Sequence, residues 1–181
     1  MYNGYNKIFW GIFIATFNIN LGGIKILPSF IGFMIISSGI ASLYKDTNIE
    51  LFKTARVFAI ITIITTGIGE LQGFISIEAM NFFLFNEFMI VLDIVMEMFM
   101  FYKCIEGTIE YLKINNHLDL AQSNTKKLRF YIIVLIIGII FLNFALVFNI
   151  IVLNTIVAIM FIILRIYLMV LIREIRNIFV E

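Results

Sequence analysis

Long uncharged runs of apolar residues dominate the pattern of this chain. The longest covers the 35 residues from Phe130 to Leu164 and also lacks proline. A single helix of that length would measure about 50 Å, whereas the hydrocarbon core of a bilayer is about 30 Å thick. The run therefore predicts two closely spaced membrane spans joined by a turn near residues 149–154.

Similar apolar segments recur along the rest of the chain. In lipid every backbone N–H and C=O must be paired within the protein, and runs this long favour helices over barrel strands. The predicted spans are 5–21, 26–44, 55–77, 82–103, 130–149 and 153–173. Asn18, Asn20 and the Gly22–Gly23 pair make the first span the weakest; as a half-span or interfacial helix it would leave five. The predicted fold is an all-α integral membrane helical bundle.

Composition extends this prediction to the whole chain. Of the 181 residues 62% are hydrophobic, compared with about 45–50% in soluble domains on a count that also includes glycine. The excess is spread along most of the chain, which predicts one membrane domain over residues 1–181. The cations are scattered, so no basic face large enough for nucleic acid is expected.

Lysine and arginine alternate between the predicted connections. They occur in residues 45–56, in the connection 104–129 and after the last span, whereas residues 69–88 carry only acidic charges. Because short cation-rich loops stay on the cytoplasmic side, this alternation predicts six spans with both termini in the cytoplasm. Lys25 is the exception to the pattern. The predicted location is a bacterial cell (inner) membrane, crossed several times.

The connection 104–129 is predicted to begin as a continuation of the fourth helix. An apolar stripe runs along it at helical spacing, flanked by acids three or four residues from lysines. The stripe consists of Ile105, Ile109 and Leu112. The extension is interpreted either as a solvated helix or as a docking surface for a partner. Asn124 or Thr125 is expected to cap the fifth helix, and Pro28 suits the first turn of the second.

Four charged residues fall within the predicted spans: Glu70 in the third, Asp93 and Glu97 in the fourth, and Arg165 in the sixth. A charge inside a bilayer costs about 2.5–3.5 kcal/mol, so it usually faces protein or water. Counted from the outer helix ends, Asp93, Glu97 and Arg165 lie roughly 16, 22 and 18 Å deep. We therefore predict an ion pair between the fourth and sixth helices, with Glu70 nearer the outer interface.

Two interpretations of this polar cluster remain open. In the functional one, Asp93 and Glu97 line a cavity for a cation, a proton or a basic substrate, and adjacent carboxylates suit proton exchange. In the structural one, Arg165 neutralises one acid, and the cluster only fixes the register of the bundle.

No residue pattern indicates catalysis, a cofactor or a metal. Cys104 and His117 are the only cysteine and histidine, so an intramolecular disulfide is impossible and a Cys/His metal site is not expected. Some membrane-embedded peptidases place a His before a Cys, whereas here the order is reversed and no third residue is evident. We predict a protein that is not an enzyme and has no cofactor.

The segment from Asn18 to Leu43 carries a sequence resemblance. Its Leu-Pro-x-Phe-Ile-Gly-Phe stretch, Leu27 to Phe33, resembles uncharacterised small multi-pass membrane proteins of low-GC Gram-positive bacteria. The resemblance implies a bacterial plasma-membrane protein and transfers no site. The six-helix size and Gly11-x-x-x-Ala15 are also faintly similar to the substrate-binding subunits of energy-coupling-factor vitamin transporters, although the long connection after the fourth helix does not suit that family.

These observations favour a non-enzymatic accessory, regulatory or immunity-type membrane component that acts through helix–helix contacts. Its expected surroundings are the lipid bilayer and either another membrane protein or a second copy of the chain. The alternative is a small transporter or channel, or the substrate-binding subunit of a transporter, with an intramembrane Asp/Glu/Arg site.

Overall fold

The computed structural model describes residues 1–17, 20–21, 24–25, 28–74 and 83–179, and within them the fold is helical, as predicted. These described residues contain six helices together with one two-stranded antiparallel ladder. The helices are α1 (Tyr2–Thr16), α2 (Ser29–Thr47), α3 (Glu50–Phe74), α4 (Phe83–Ile114), α5 (Leu118–Val147) and α6 (Ile151–Ile178). The ladder, β1 (Asn20–Leu21) and β2 (Ile24–Lys25), lies between α1 and α2.

The helices form a closed ring in chain order. Each helix packs against the next one, and α6 returns to pack against α1. One side-chain hydrogen bond joins α6 to α1 at this closure: Arg176 Nη1 donates to Asn6 Oδ1 at 2.9 Å. A second contact crosses the ring from α1 to α4, where Tyr5 Oη lies 2.7 Å from Thr108 Oγ1. The ring brings all six helices around one buried core.

One end of the ring collects nearly all the positive charge. It contains the N-termini of α1, α3 and α5 and the C-termini of α2, α4 and α6, and every lysine and arginine except Lys25 and Arg165 lies towards it. We call it the basic end. An ion pair between Lys127 on α5 and Glu174 on α6 joins two helices there.

In the part of the chain that the structure describes, three helices are long and apolar enough to cross a membrane: α3 over Glu50–Glu70, α5 and α6. The hairpin predicted from the uncharged run is present, because α5 ends at Val147 and α6 begins at Ile151. Asn149 turns the chain in the left-handed region, with φ 51°. By contrast α1 has 15 residues, or about 22 Å, which is shorter than a bilayer core.

The connection 104–129 is helical except for residues 115–117. The predicted extension of the fourth helix exists, but it is not solvated along its apolar stripe, because Ile105, Ile109 and Leu112 are buried in the core of the same chain. The same burial leaves this stripe unavailable as a docking surface.

The expected cap of the fifth helix is wrong. His117 occupies the N-cap position, and α5 starts at Leu118, before Asn124 and Thr125. Those two side chains instead donate to the carbonyls of Leu120 and Ala121, four residues earlier in the same helix, at 2.9 and 2.8 Å.

Glycines allow α1 and α2 to approach until their backbones touch. Gly11 faces Gly32, and Gly4 faces Gly39, so the two pairs repeat at a seven-residue interval in opposite directions. A Cβ at Gly32 would lie 2.6 Å from the Gly11 carbonyl oxygen, and one at Gly39 would lie 2.6 Å from the Gly4 carbonyl oxygen. Residues with a side chain therefore do not fit at these crossings.

Candidate functional site

The predicted ion pair between the fourth and sixth helices is confirmed. Arg165 Nη2 lies 2.5 Å from Glu97 Oε2, and Arg165 Nε donates to Glu97 Oε1 at 3.0 Å, so the contact is bidentate. The Glu97 side chain is 11% exposed and that of Arg165 is 30% exposed. A planar guanidinium matches both carboxylate oxygens, which makes this the strong form of such a contact.

Arg165 also reaches a third helix. Its Nη1 atom donates to the backbone carbonyl of Ala15 at 3.1 Å. That carbonyl lies in the last turn of α1, where helix geometry leaves four C=O groups without a partner from a continuing helix. The Thr16 hydroxyl and the Phe17 backbone N–H donate to carbonyls earlier in α1, and Arg165 supplies the donor for Ala15. One guanidinium thus links α1, α4 and α6 in the interior of the ring.

Asp93 lies one turn from Glu97 on α4, as the spacing predicts, and its environment differs. It has a side-chain contact with Thr65 on α3 and interacts electrostatically with Glu97 and Arg165. Its Oδ1 atom is buried and has no hydrogen-bond partner among the described residues. A buried oxygen without a partner is costly and calls for an explanation, such as a bound proton, water or ion.

A cavity of about 300 Å³ adjoins the ion pair between α4, α5 and α6. Its polar wall consists of Glu97, Arg165 and Tyr131. The remaining wall is aliphatic or aromatic and includes Ile94, Leu135 and Phe161. Its size is at the lower limit of pockets that hold small organic ligands.

Glu70 takes part in a different contact from the other three residues. Its Oε1 accepts a hydrogen bond at 2.8 Å from the backbone N–H of Ser29, the first residue of α2. Pro28 occupies the N-cap position and makes no side-chain cap bond. The Glu70 carboxylate therefore caps α2 from α3, and a negative charge at a helix N-terminus is stabilising.

Three parts of the site were not predicted from the sequence. They are the Ala15 carbonyl, the Tyr131 ring and Thr65. A backbone carbonyl leaves no signal in a sequence, and Tyr131 is indistinguishable from other aromatic residues in an apolar run. Thr65 had a usable signal, because it lies three residues from Thr62, on the same helix face, and both are buried.

The chemistry of this set is limited to charge, hydrogen bonding and proton binding. Among the described residues, no three His, Cys, Asp or Glu side chains come together in a way that could hold a metal ion. Cys104 is buried within α4, and His117 lies exposed at the start of α5. About 15 Å of helix separates Cys104 from the end of α4, so these two side chains do not form a nucleophile–base pair.

Comparison with known proteins found no match to any family model, to any curated protein or to any solved structure.

Proposed function

We propose that the protein is a non-enzymatic, multi-pass component of a bacterial cell membrane that has an accessory, regulatory or immunity-type role through helix–helix contacts. The observation that carries this proposal is that the Glu97–Arg165 ion pair is already hydrogen-bonded within the protein. Both Glu97 carboxylate oxygens and all three Arg165 guanidinium nitrogens take part in hydrogen bonds that join three helices. This buried pair of charges therefore holds the helices together.

The membrane arrangement that we propose has six crossings, the first made by the short helix α1, and both termini in the cytoplasm. The collection of cations at the basic end supports it, because lysine and arginine close to span ends remain on the cytoplasmic side. The low-GC Gram-positive resemblance of the Leu27–Phe33 stretch supports a bacterial membrane. The second resemblance is weakened, since Gly11 and Ala15 are buried against α2 and are not available to couple with another subunit.

The outer half of the α5–α6 hairpin is the surface that we propose for contacts with a partner. Large apolar side chains there are more than half exposed, including Val147 at 78%, Ile151 at 75% and Val152 at 71%. Such a face suits either lipid or the helices of another membrane protein or of a second copy.

The second candidate is a small transporter or channel. The buried Asp93 Oδ1 atom and the 300 Å³ cavity beside Glu97 and Arg165 favour it. An intramembrane carboxylate with an unsatisfied oxygen suits the exchange of a proton or the binding of a cation.

An Asp93→Asn variant separates the two candidates, because it keeps the shape of the side chain and removes its charge. The purified protein is placed in liposomes, and under an imposed potential proton flux is measured with an internal pH dye and potassium flux with an internal potassium-sensitive dye. In parallel, the protein is cross-linked in native membranes, and the captured proteins are identified by mass spectrometry. Glu110→Gln, an exposed acid on the same helix, is the matched control.

An accessory component is expected to show no flux above empty liposomes and to capture the same specific membrane protein, or second copy, in both variants. Flux in the wild type and in Glu110→Gln that falls at least tenfold in Asp93→Asn would favour the transporter and overturn the first candidate.

A further inference from the structure

A second cavity lies at the basic end, between α4 and α5. It measures about 340 Å³ and contains Lys113 from α4 and Arg129 from α5. The apolar part of its wall includes Leu128, Ile132 and Ile133. This cavity shares no lining residue with the cavity beside Arg165.

The two cations of this cavity are available to bind an anion. Both are exposed, and neither makes an ion pair or hydrogen bond with another described residue. The one acid in the lining, Glu106, is already engaged: Lys103 Nζ donates to its Oε2 at 2.8 Å, and Tyr102 Oη donates to its Oε1 at 3.2 Å. Lys103 neutralises Glu106, which leaves the positive charge of Lys113 and Arg129 unbalanced.

The position of the cavity indicates which anion it meets. Arg129 is the last charged residue before the uncharged run that starts at Phe130. Arg129 therefore lies at the level where the hydrocarbon of a bilayer gives way to the phosphate groups of the lipids, as a span-flanking arginine does.

An apolar stripe leads from Arg129 towards the other end of α5. Its exposed residues recur every three or four positions, so they lie on one helix face. They are Ile133, Ile136, Ile140 and Phe144, with exposed fractions of 58, 45, 62 and 50%. From Arg129 to Ile140 the stripe is about 16 Å long, which matches the hydrocarbon depth of one leaflet, about half of a 30 Å core.

We propose that this cavity and stripe form a binding site for an anionic phospholipid. Lys113 and Arg129 hold the phosphate, with Arg129 able to donate two hydrogen bonds to its oxygens. Ile133 and the stripe beyond it contact one acyl chain. The lipid would fill the groove between α4 and α5 at the basic end and hold the two helices in register.

The test measures lipid binding to the full chain in detergent by native mass spectrometry. The probes are phosphatidylglycerol, phosphatidylcholine and inorganic phosphate. The test variant is Lys113→Gln/Arg129→Gln, and the matched control is Lys45→Gln/Arg173→Gln, which removes two exposed cations of the basic end that do not line the cavity. All four positions are exposed, so the variants are expected to fold, and gel filtration checks this.

Phosphatidylglycerol is expected to bind the wild type in preference to phosphatidylcholine. A surface cation contributes roughly a fivefold change in affinity for anionic lipid, so the test variant should bind about 25-fold more weakly, and the control should change less than twofold. Equal losses in test and control variants would overturn the site, because they indicate general charge attraction. Displacement of the lipid by millimolar inorganic phosphate would also overturn it, because the acyl chain would then contribute nothing.

Discussion

Arg165 shows how one side chain in the interior of a helical bundle can be a structural link. It bonds Glu97 on α4 through two nitrogens and the Ala15 carbonyl on α1 through a third. A buried ion pair contributes little over an apolar pair of the same size, yet the removal of one partner leaves a buried charge uncompensated and costs about 3–5 kcal/mol. Removal of one partner should therefore destabilise the protein more than removal of both, and this difference identifies the contact.

We expect Arg165→Leu to lower the free energy of unfolding by about 3–5 kcal/mol, because Glu97 is left without its partner. The double variant Glu97→Leu/Arg165→Leu should be less destabilised than Arg165→Leu alone, since it removes both charges. Unfolding in mixed detergent micelles, followed by far-UV circular dichroism, measures the difference. Arg173→Leu, on the same helix but exposed, should change stability by less than 1 kcal/mol. Equal destabilisation by Arg165→Leu and by the double variant would contradict the proposed coupling.

At the scale of the helices, the α1–α2 pair depends on the absence of side chains at its crossings. A Cβ at Gly32 would lie 2.6 Å from the Gly11 carbonyl oxygen and 2.7 Å from the Ala15 nitrogen. Both atoms belong to the backbone of a helix, so the helices would have to separate. That separation would also move the Ala15 carbonyl, which Arg165 bonds.

Gly32→Ala is therefore expected to destabilise the protein by roughly 1–3 kcal/mol, the usual cost of an overpacked interior. Gly67→Ala is the matched control, because an added Cβ there meets nothing within 4 Å. In a helix that substitution should stabilise by about 0.5–1 kcal/mol. Thermal unfolding midpoints of the two variants in the same detergent should shift in opposite directions. A midpoint for Gly32→Ala that does not fall below that of the wild type would show that close packing at Gly32 does not limit stability.

The sequence predicts the helices better than it predicts their ends. Six apolar segments indicated six helices, because a long apolar run is by itself enough to predict a helix in a membrane. The start of α5 was missed since residues 118–129 are rich in polar and charged side chains, which resemble a loop. The helix there has one buried side, with Ala121, Asn124 and Leu128 at spacings of three and four residues, and this period could have revealed it.

Only the part of the candidate site that depends on depth along a helix could be predicted from the sequence. The depths of Glu97 and Arg165 follow from the rise per residue, so their pairing could be predicted from the chain. Which neighbour each helix has does not follow from its own sequence. The contact between Asp93 and Thr65, and the place of Tyr131 beside the ion pair, depend on the ring order of the helices and became visible only in the fold.

At the scale of the whole molecule, the lysines and arginines lie mostly at one end of the ring, the basic end. The basic end contains the turns at residues 48–49 and 115–117, and the turn at residues 148–150 lies at the opposite end. Asn48 and Asn149 are exposed, as is His117. Moving a cluster of lysines and arginines across a membrane is unfavourable, which would keep the basic end in the cytoplasm.

Single cysteines at residues 48, 117 and 149 test this arrangement in living cells. The background is Cys104→Ala, since Cys104 is buried and alanine is a small apolar replacement. A membrane-impermeant maleimide added to intact cells should label the cysteine at 149 and leave those at 48 and 117 unlabelled until the cells are opened. The three positions are all exposed turn residues, so accessibility within the fold is matched and only the side of the membrane differs. Labelling of all three in intact cells would contradict the six-crossing arrangement, and protection of all three would mean that the α5–α6 hairpin enters the bilayer without crossing it.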